Sequence, residues 1–186
     1  MQYIGISIPG AYLIELEPQV DERGFFARTV CIKDFQNHEI NGHMVQQSIS
    51  WNTHKGTLRG IHFQAFPHEE EKLVRVTQGA IYDVIVDLRI DSPAYGHWQA
   101  FELNADNRLQ LFIPKGVAHG FQTTVDNTEV LYEMTSPFHP DASRGIRWDD
   151  TTLAIKWPYP DMISKKGRIS PKDKMWPSLS GIQEHS

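Results

Sequence analysis

The chain has 186 residues, 40% of them hydrophobic, and carries a formal net charge of −5 at pH 7. This length suits one domain with a sizeable core, and the negative charge argues against general binding of nucleic acids or anionic membranes. The N-terminal residues lack the pattern of a secretory leader, and no apolar run approaches the roughly 20 residues that a spanning helix needs. The single cysteine, Cys31, precludes an intramolecular disulfide and favours a location in the reducing cytoplasm.

Short apolar or alternating runs predict a mainly β protein. Taken in chain order, strands are expected at 11–16, 44–50, 57–63, 73–76, 80–88, 98–103, 109–113 and 129–135. Turn-forming residues separate these runs, among them Asp21–Gly24, Gly79 and Pro114–Gly116. Many short strands at this spacing are typical of a β-sandwich or barrel.

The strand at 80–88 is expected to alternate between two faces. Ile81, Asp83 and Ile85 share one face with Asp87, and the other face carries Tyr82, Val84, Val86 and Leu88.

Helical content is expected to be small. Short helices are predicted at 33–40 and at 149–155, the second with an aspartate as N-cap. Tryptophans at 157 and 176 indicate that the polar tail packs on the body of the protein. We therefore expect a single domain over residues 1–186, in which residues 165–186 pack on the barrel and end in a frayed terminus.

Two glycine-punctuated segments carry the candidate chemistry: KGTLRGIHFQ at 55–64 and PKGVAHGF at 114–121. Their spacing resembles the two metal-binding motifs of cupins, a class of jelly-roll β proteins. His62 and His119 occupy two of the four ligand positions, but Gln64 and Lys72 occupy the others. Because a neutral amide and an ammonium are poor metal ligands, we expect a cupin scaffold without a metal site.

Beyond this motif, the chain resembles the dTDP-4-dehydrorhamnose 3,5-epimerase family from about residue 5 to residue 177. The resemblance is carried by segments that occur in the family's order: DERGFF (21–26), GTLRGIHFQ (56–64), KLVRVTQGAIYDVIVDLRIDSPAYGHW (72–98), LFIPKGVAHGF (111–121), EVLY (129–132), GIRWDD (145–150), IKWP (155–158) and ISPKDKMWP (169–177). It implies a jelly-roll cupin that epimerises a nucleotide-linked 4-keto-6-deoxy sugar without a cofactor.

The resemblance implies four catalytic residues. His62 matches the catalytic base, and Asp173 matches the carboxylate that orients it. Tyr132 matches the general acid on the opposite face of the sugar, and Lys72 matches the residue near the C4 oxygen. A ketone at C4 acidifies the hydrogens on C3 and C5, so a base, an acid and an oxyanion stabiliser are the groups that inversion requires.

The resemblance also implies substrate-binding residues. Arg23, Arg59 and His119 match positions that contact the diphosphate or the nearby sugar. Gln47 matches a position at the nucleotide end, and Phe26 lies beside that region. The family further implies a homodimer with exchanged N-terminal strands, so that residues near Phe26 complete the site of the neighbour.

Three departures from the family pattern leave the substrate open. Ile49 stands where the resemblance places an amide, and Arg28 stands where it places a glutamate, which makes a GDP-, CDP- or UDP-linked hexose or heptose an alternative to a dTDP-linked sugar. Pro137 and Phe138 replace two tyrosines, which makes a mono-epimerase acting at C3 or C5 alone an alternative. A related cupin class catalyses 3,4-ketoisomerisation, although the acid and base expected here favour epimerisation. A sugar-binding module without catalysis is the non-enzymatic alternative.

Overall fold

The computed structural model describes residues 1–182, so the end of the predicted frayed terminus, residues 183–186, lies outside the described part of the chain. The strands are β1 (Gln2–Gly5), β2 (Tyr12–Glu15), β3 (Gln19–Asp21), β4 (Gly24–Phe26), β5 (Gln46–Asn52), β6 (Leu58–Gln64), β7 (Lys72–Gln78), β8 (Ala80–Asp87), β9 (Trp98–Asn104), β10 (Gln110–Ile113), β11 (Val117–Thr123), β12 (Thr128–Met134) and β13 (Ser143–Gly145). The helices are α1 (Ile32–Gln36), α2 (Pro160–Ile163), α3 (Pro171–Lys174) and α4 (Leu179–Ile182), with a 3₁₀ turn at Pro140–Ala142. None of the helices within residues 1–182 is long and apolar enough to cross a membrane.

The strands form two antiparallel sheets and a separate hairpin. One sheet has six strands in the order β1-β2-β10-β7-β12-β5, and the other has five in the order β13-β6-β11-β8-β9. Within residues 1–182, strands β3 and β4 pair with each other and with no other strand. Strands from both sheets contribute to one apolar core, which includes Val74, Ile85, Leu111 and Phe121. This two-sheet arrangement confirms the prediction of a mainly β, jelly-roll architecture.

The predicted alternation of β8 is confirmed by the two clusters that its faces join. Ile81 and Ile85 lie in the core between the sheets. Val84 and Val86 lie in a second cluster with Trp157 and other residues that follow the last strand, among them Ile163 and Leu179. The C-terminal segment thus covers the outer face of the five-stranded sheet, where each fully buried Val, Leu or Ile contributes about 1.5–3 kcal/mol.

Both helix predictions needed correction. The first helix ends at Gln36 rather than residue 40, and Glu39 has a positive φ of 59°. Residues 149–155 form turns rather than a helix. The carboxylate of Asp150 does accept the N–H groups of Thr152 and Leu153, as an N-cap would. However, Ala154 has a φ of 47°, so the chain leaves the helical conformation after one turn.

A glycine pair lets β6 and β11 approach closely beside the site. Gly60 has a φ of 123°, and a Cβ there would lie 2.5 Å from the Cα of Gly120. The pairing of the two strands shifts register between His119 and Phe121. Because no residue with a Cβ fits this contact, the glycines fix the relative positions of the side chains that flank them.

Candidate active site

A cavity of about 480 Å³ opens between the two sheets. Its lining comes from strands β5, β6, β7, β11 and β12 and from the segment that carries α3. Six of the nine predicted site residues line it: Arg59, His62, Lys72, His119, Tyr132 and Asp173. The structure therefore brings together the predicted base, its orienting carboxylate, the predicted acid and the predicted oxyanion stabiliser.

His62 and Asp173 form a hydrogen-bonded pair although 111 residues separate them in the chain. The Nε2 atom of His62 lies 2.6 Å from Oδ1 of Asp173, whose side chain is only 7% exposed. Burial acts to raise the pKa of Asp173, but the hydrogen bonds with His62, Ser170 and Trp176 outweigh it and hold this pKa below its ordinary value. The carboxylate is therefore ionised and able to stabilise a protonated imidazole.

The local sequence explains how the tail presents this carboxylate. Ser170 is the N-cap of α3, and its hydroxyl accepts the backbone N–H of Asp173 at 3.0 Å, while Pro171 occupies the first turn. The indole of Trp176 donates to Asp173 Oδ1 at 3.3 Å. Trp176 packs directly on Gly145, where a Cβ would lie 2.6 Å from the ring. The tail is thus anchored on both sides of the carboxylate.

Tyr132 faces the same cavity from β12, which runs between β7 and β5. Desolvation raises the pKa of its phenol well above the ordinary value, and the nearby carboxylate of Asp83 adds to this effect. The phenol consequently stays protonated across the range in which enzymes operate. The phenol therefore carries a proton that it can deliver to a stronger base, such as the carbon of an enolate.

A buried carboxylate, Asp83, supports His119 and was not predicted as a site residue. The Nε2 atom of His119 lies 2.5 Å from Oδ1 of Asp83, whose side chain is fully buried. Burial raises the pKa of Asp83, while His119 and Lys72 oppose this rise. The His119 ring centroid lies 5.9 Å from that of Tyr132. The sequence did contain a signal, since Asp83 lies on the same face of the strand at 80–88 as the apolar Ile81 and Ile85.

Two further polar residues of the cavity were missed. Lys172 lines the cavity and donates from Nζ to the hydroxyl of Ser143 at 3.2 Å. Glu70 also lines the cavity, and its Oε1 lies 3.0 Å from Nζ of Lys72. Neither residue has a distinctive sequence context, because short runs of charged residues around 69–72 and 172–174 are typical of solvated surface.

Gln64 and Lys72, which stand where the cupin motif has metal ligands, both have hydrogen-bond partners. Gln64 donates to the carbonyl of His68 and to Glu70, and it accepts the N–H of His139. Lys72 forms the ion pair with Glu70 described above. Within residues 1–182, no group of three or more His, Cys, Asp or Glu side chains is arranged to hold a metal ion. The absence of a metal remains a prediction that rests on the chemistry of these side chains.

Arg59 lies on β6, the strand that also carries His62. Its Nε donates to Oδ1 of Asn52 at 2.8 Å, and it lines the cavity. A guanidinium held in this way still has donors available for a phosphate.

The placement of Gln47 requires a correction. Its side chain lies on the exposed outer face of β5, where Nε2 donates to Oε1 of Glu133. The neighbouring residues Gln46, Ser48 and Ser50 face the cavity instead. Ile49 is 62% exposed on the outer face. Because strand side chains alternate, a shift of one residue exchanges the two faces, and Ile49 therefore does not alter the chemistry of the cavity.

Arg23 and Phe26 do not reach the cavity of their own chain. They lie on the β3–β4 hairpin, all of whose residues are exposed, and the side chain of Arg23 pairs with Asp21. Phe26 is 72% exposed.

The two-sheet jelly roll and its site, with the histidine–carboxylate pair and the phenol in one cavity, define a cupin of the carbohydrate-epimerase class. The family of dTDP-4-dehydrorhamnose 3,5-epimerases matches residues 5–181. The chain belongs to this family, which confirms the resemblance seen in its sequence.

Individual relatives agree with this assignment. The dTDP-4-dehydrorhamnose 3,5-epimerase of Methanothermobacter thermautotrophicus is 41% identical over 96% of this chain and 94% of its own length. The Bacillus anthracis enzyme, solved with TDP and PPi bound, is 40% identical with a TM-score of 0.88, covering 95% of this chain and 98% of its own. The Legionella pneumophila enzyme, solved in complex with dTDP-4-keto-L-rhamnose, is 34% identical with a TM-score of 0.89, and the match covers 99% of this chain and 95% of its own. A 3'-monoepimerase of Streptomyces bikiniensis, in complex with dTDP-quinovose, is 26% identical with a TM-score of 0.86, and the match covers 97% of this chain and 89% of its own.

Proposed function

We propose that this chain inverts C3 and C5 of a nucleotide-diphosphate 4-keto-6-deoxyhexose. The observation that carries the proposal is that His62, with its carboxylate partner Asp173, shares one cavity with the protonated phenol of Tyr132. Membership of the 3,5-epimerase family supports the same reaction. A binding module would not need an ionised carboxylate buried behind a cavity histidine.

The reaction proceeds by removal and return of a proton beside the ketone. His62 abstracts the hydrogen of C3 or C5, and the electron pair moves to the C4 oxygen to give an enolate. Asp173 stabilises the imidazolium that forms, and Lys72 stabilises the enolate oxygen. Tyr132 delivers a proton to the other face of the carbon, which completes the inversion. Solvent then reprotonates the phenol and removes the proton from His62.

Arg59 and the polar residues of β5 support a nucleotide-diphosphate substrate. The guanidinium of Arg59 is suited to a phosphate. Gln46, Ser48 and Ser50 offer hydrogen-bonding groups along one edge of the cavity. Relatives solved with TDP or a dTDP sugar favour the thymidine nucleotide. Arg28, which is exposed, remains the one difference from the family pattern that favours a nucleotide base other than thymine.

A homodimer is part of the proposal, because the single chain leaves complementary features exposed. Strand β5 is the edge of the six-stranded sheet, and it exposes Ile49 and Trp51. The β3–β4 hairpin exposes Val20 and Phe26. An unpaired edge and an apolar hairpin are features that strand exchange between two copies would cover. Exchange would also bring Arg23 and Phe26 to the neighbouring cavity. Sedimentation analysis tests this part, and a monomer at micromolar concentration would reject it.

A cytoplasmic location completes the proposal. The lone Cys31 is consistent with a reducing compartment, where the nucleotide sugars of such pathways would be available.

A mono-epimerase is the second candidate, favoured by one residue of the cavity. Phe138 lines the mouth of the cavity and is 56% exposed, so an apolar ring stands where the family pattern has a phenol. A ring without a hydroxyl offers no hydrogen bond to the sugar, which would favour inversion at a single centre.

Proton NMR of a dTDP-4-keto-6-deoxyglucose substrate in D₂O distinguishes these candidates. A double epimerase exchanges the C3 and C5 hydrogens and forms the doubly inverted product. A mono-epimerase exchanges one of them with turnover, and a binding module exchanges neither. Replacing His62 by Ala should abolish exchange at both positions. Normal exchange in that variant would show that the base is assigned wrongly.

A further inference from the structure

Glu70 is held in one orientation at the wall of the cavity. Its side chain is 10% exposed. One carboxylate oxygen lies 3.0 Å from Nζ of Lys72, and the other accepts Nε2 of Gln64 at 2.9 Å. Since each oxygen has a donor, the carboxylate cannot rotate without losing a hydrogen bond in a partly desolvated place.

The residue that anchors Glu70 is itself fixed. Gln64 is 4% exposed. Its amide nitrogen donates to the backbone carbonyls of His68 and Pro137, and its amide oxygen accepts the N–H of His139 at 2.6 Å. Gln64 thus joins the segment after β6 to the segment after β12. The orientation of Glu70 is set by the backbone of both segments.

Lys72 depends on this arrangement for its position. A lysine side chain has about 2 kcal/mol of rotamer entropy, so an unanchored ammonium would occupy several places. The other nearby carboxylate, Asp83, is engaged with His119. Within residues 1–182, the carboxylate that pairs directly with Nζ of Lys72 is that of Glu70.

We propose that Glu70 is a positioning residue, which holds the ammonium of Lys72 at the point where the enolate oxygen forms. This inference rests on the proposed function, in which Lys72 stabilises that oxygen. Electrostatic stabilisation is effective when the donor is placed before the charge develops. A displacement of about 1 Å costs on the order of 100-fold in rate. Glu70 acts through Lys72 and need not touch the substrate.

A double-mutant cycle on the purified full-length chain tests the proposal, with C3 and C5 exchange and steady-state kinetics as readouts. Glu70→Ala should lower kcat by about 10- to 100-fold with KM changed less than about threefold, because the enolate charge exists only after the substrate has bound. Glu70→Gln should recover only part of the rate, because its single amide oxygen can accept from Nζ while its NH2 then faces the donating amide of Gln64. In a Lys72→Ala background, Glu70→Ala should add less than about a twofold loss. Glu69→Ala is the matched control, since Glu69 does not line the cavity, and it should leave kcat unchanged.

Each other result overturns a defined part of the reasoning. Equal losses from Glu70→Ala with and without Lys72 would overturn the positioning role. A Lys72→Ala variant as fast as wild type would show that the proposed function misassigns Lys72. A slow Lys72→Ala variant beside a normal Glu70→Ala variant would remove the Glu70 proposal alone. Thermal unfolding by circular dichroism verifies folding, and Glu70→Leu takes the place of Glu70→Ala if the latter does not fold.

Discussion

Replacing Asp173 by Asn tests the histidine–carboxylate pair with little change of shape. The substitution removes the negative charge that stabilises a protonated His62. Because Nε2 of His62 lies 2.6 Å from Oδ1 of Asp173, and the Asp173 side chain is only 7% exposed, solvent screens their interaction weakly. A hydrogen bond to a charged group contributes about 1.5–3 kcal/mol, which corresponds to about a 10- to 150-fold loss of rate. His62 carries its charge only after it has taken the proton, so kcat should fall while KM changes little.

The assay is exchange of the C3 and C5 hydrogens in D₂O, followed by proton NMR at equal enzyme concentration. Asp149→Asn is the matched control. Asp149 pairs with Arg147 on the surface and does not line the cavity, and exposed ion pairs contribute little. Its exchange rate should stay within about twofold of wild type. If Asp173→Asn exchanged both hydrogens at the wild-type rate, the carboxylate would have no part in base catalysis.

Three further predictions concern stability and substrate binding. The folded-state pKa of Asp173 is lowered, so its ionisation stabilises the fold above about pH 4, and this contribution is lost as pH falls below that value. In urea unfolding, the free energy of unfolding should therefore fall more steeply below about pH 4 in wild type than in Asp173→Asn. Gly60→Ala would place a Cβ 2.5 Å from the backbone of β11 at a φ of 123°, and it should lower the free energy of unfolding by about 2–6 kcal/mol. Gly5→Ala, whose Cβ would meet nothing within 4 Å, should lower it by less than about 1 kcal/mol. Equal urea-unfolding midpoints for the two variants would refute the close contact between β6 and β11. Ser48→Ala should raise KM several-fold and Gln47→Ala should not, because β5 directs only the first side chain into the cavity; the reverse order would restore the original assignment.

The strand pattern of this fold was largely available from the sequence. All eight predicted runs correspond to observed strands with shifted ends. Strand β11 was missed because glycines at 116 and 120 flank and interrupt its short run. The β3–β4 hairpin was recognised only by its turn, since no residue in either strand is buried and no pattern of burial marks them.

The orientation of β5 shows why a site residue was misplaced. The segment QQSISWN has polar residues on both faces, so alternation alone does not tell which face lies inside. The assignment of Gln47 therefore rested on the motif alone, whereas its neighbours Gln46 and Ser48 line the cavity. By contrast, Tyr132 lies on a strand whose inward positions include Val130 and Met134, and its placement in the cavity was predicted correctly.

Long-range pairs could not be derived from local patterns. Nothing near residue 173 indicates a partner at residue 62, and its assignment depended wholly on the family resemblance. Asp83 was placed on the correct face by alternation, yet its bond to His119 needed the three-dimensional register of β8 and β11.

The order in which the site is assembled follows from the position of Asp173 in the tail. Every strand found in residues 1–182 ends by Gly145, so the ribosome has synthesised these strands before it adds the carboxylate of Asp173. A nascent chain that has reached this stage has His62, Tyr132 and Lys72 but lacks the carboxylate that hydrogen-bonds to His62. The hydrogen bond between His62 and Asp173 can therefore form only after residue 173 has been added, and Gly145 remains uncovered until Trp176 follows.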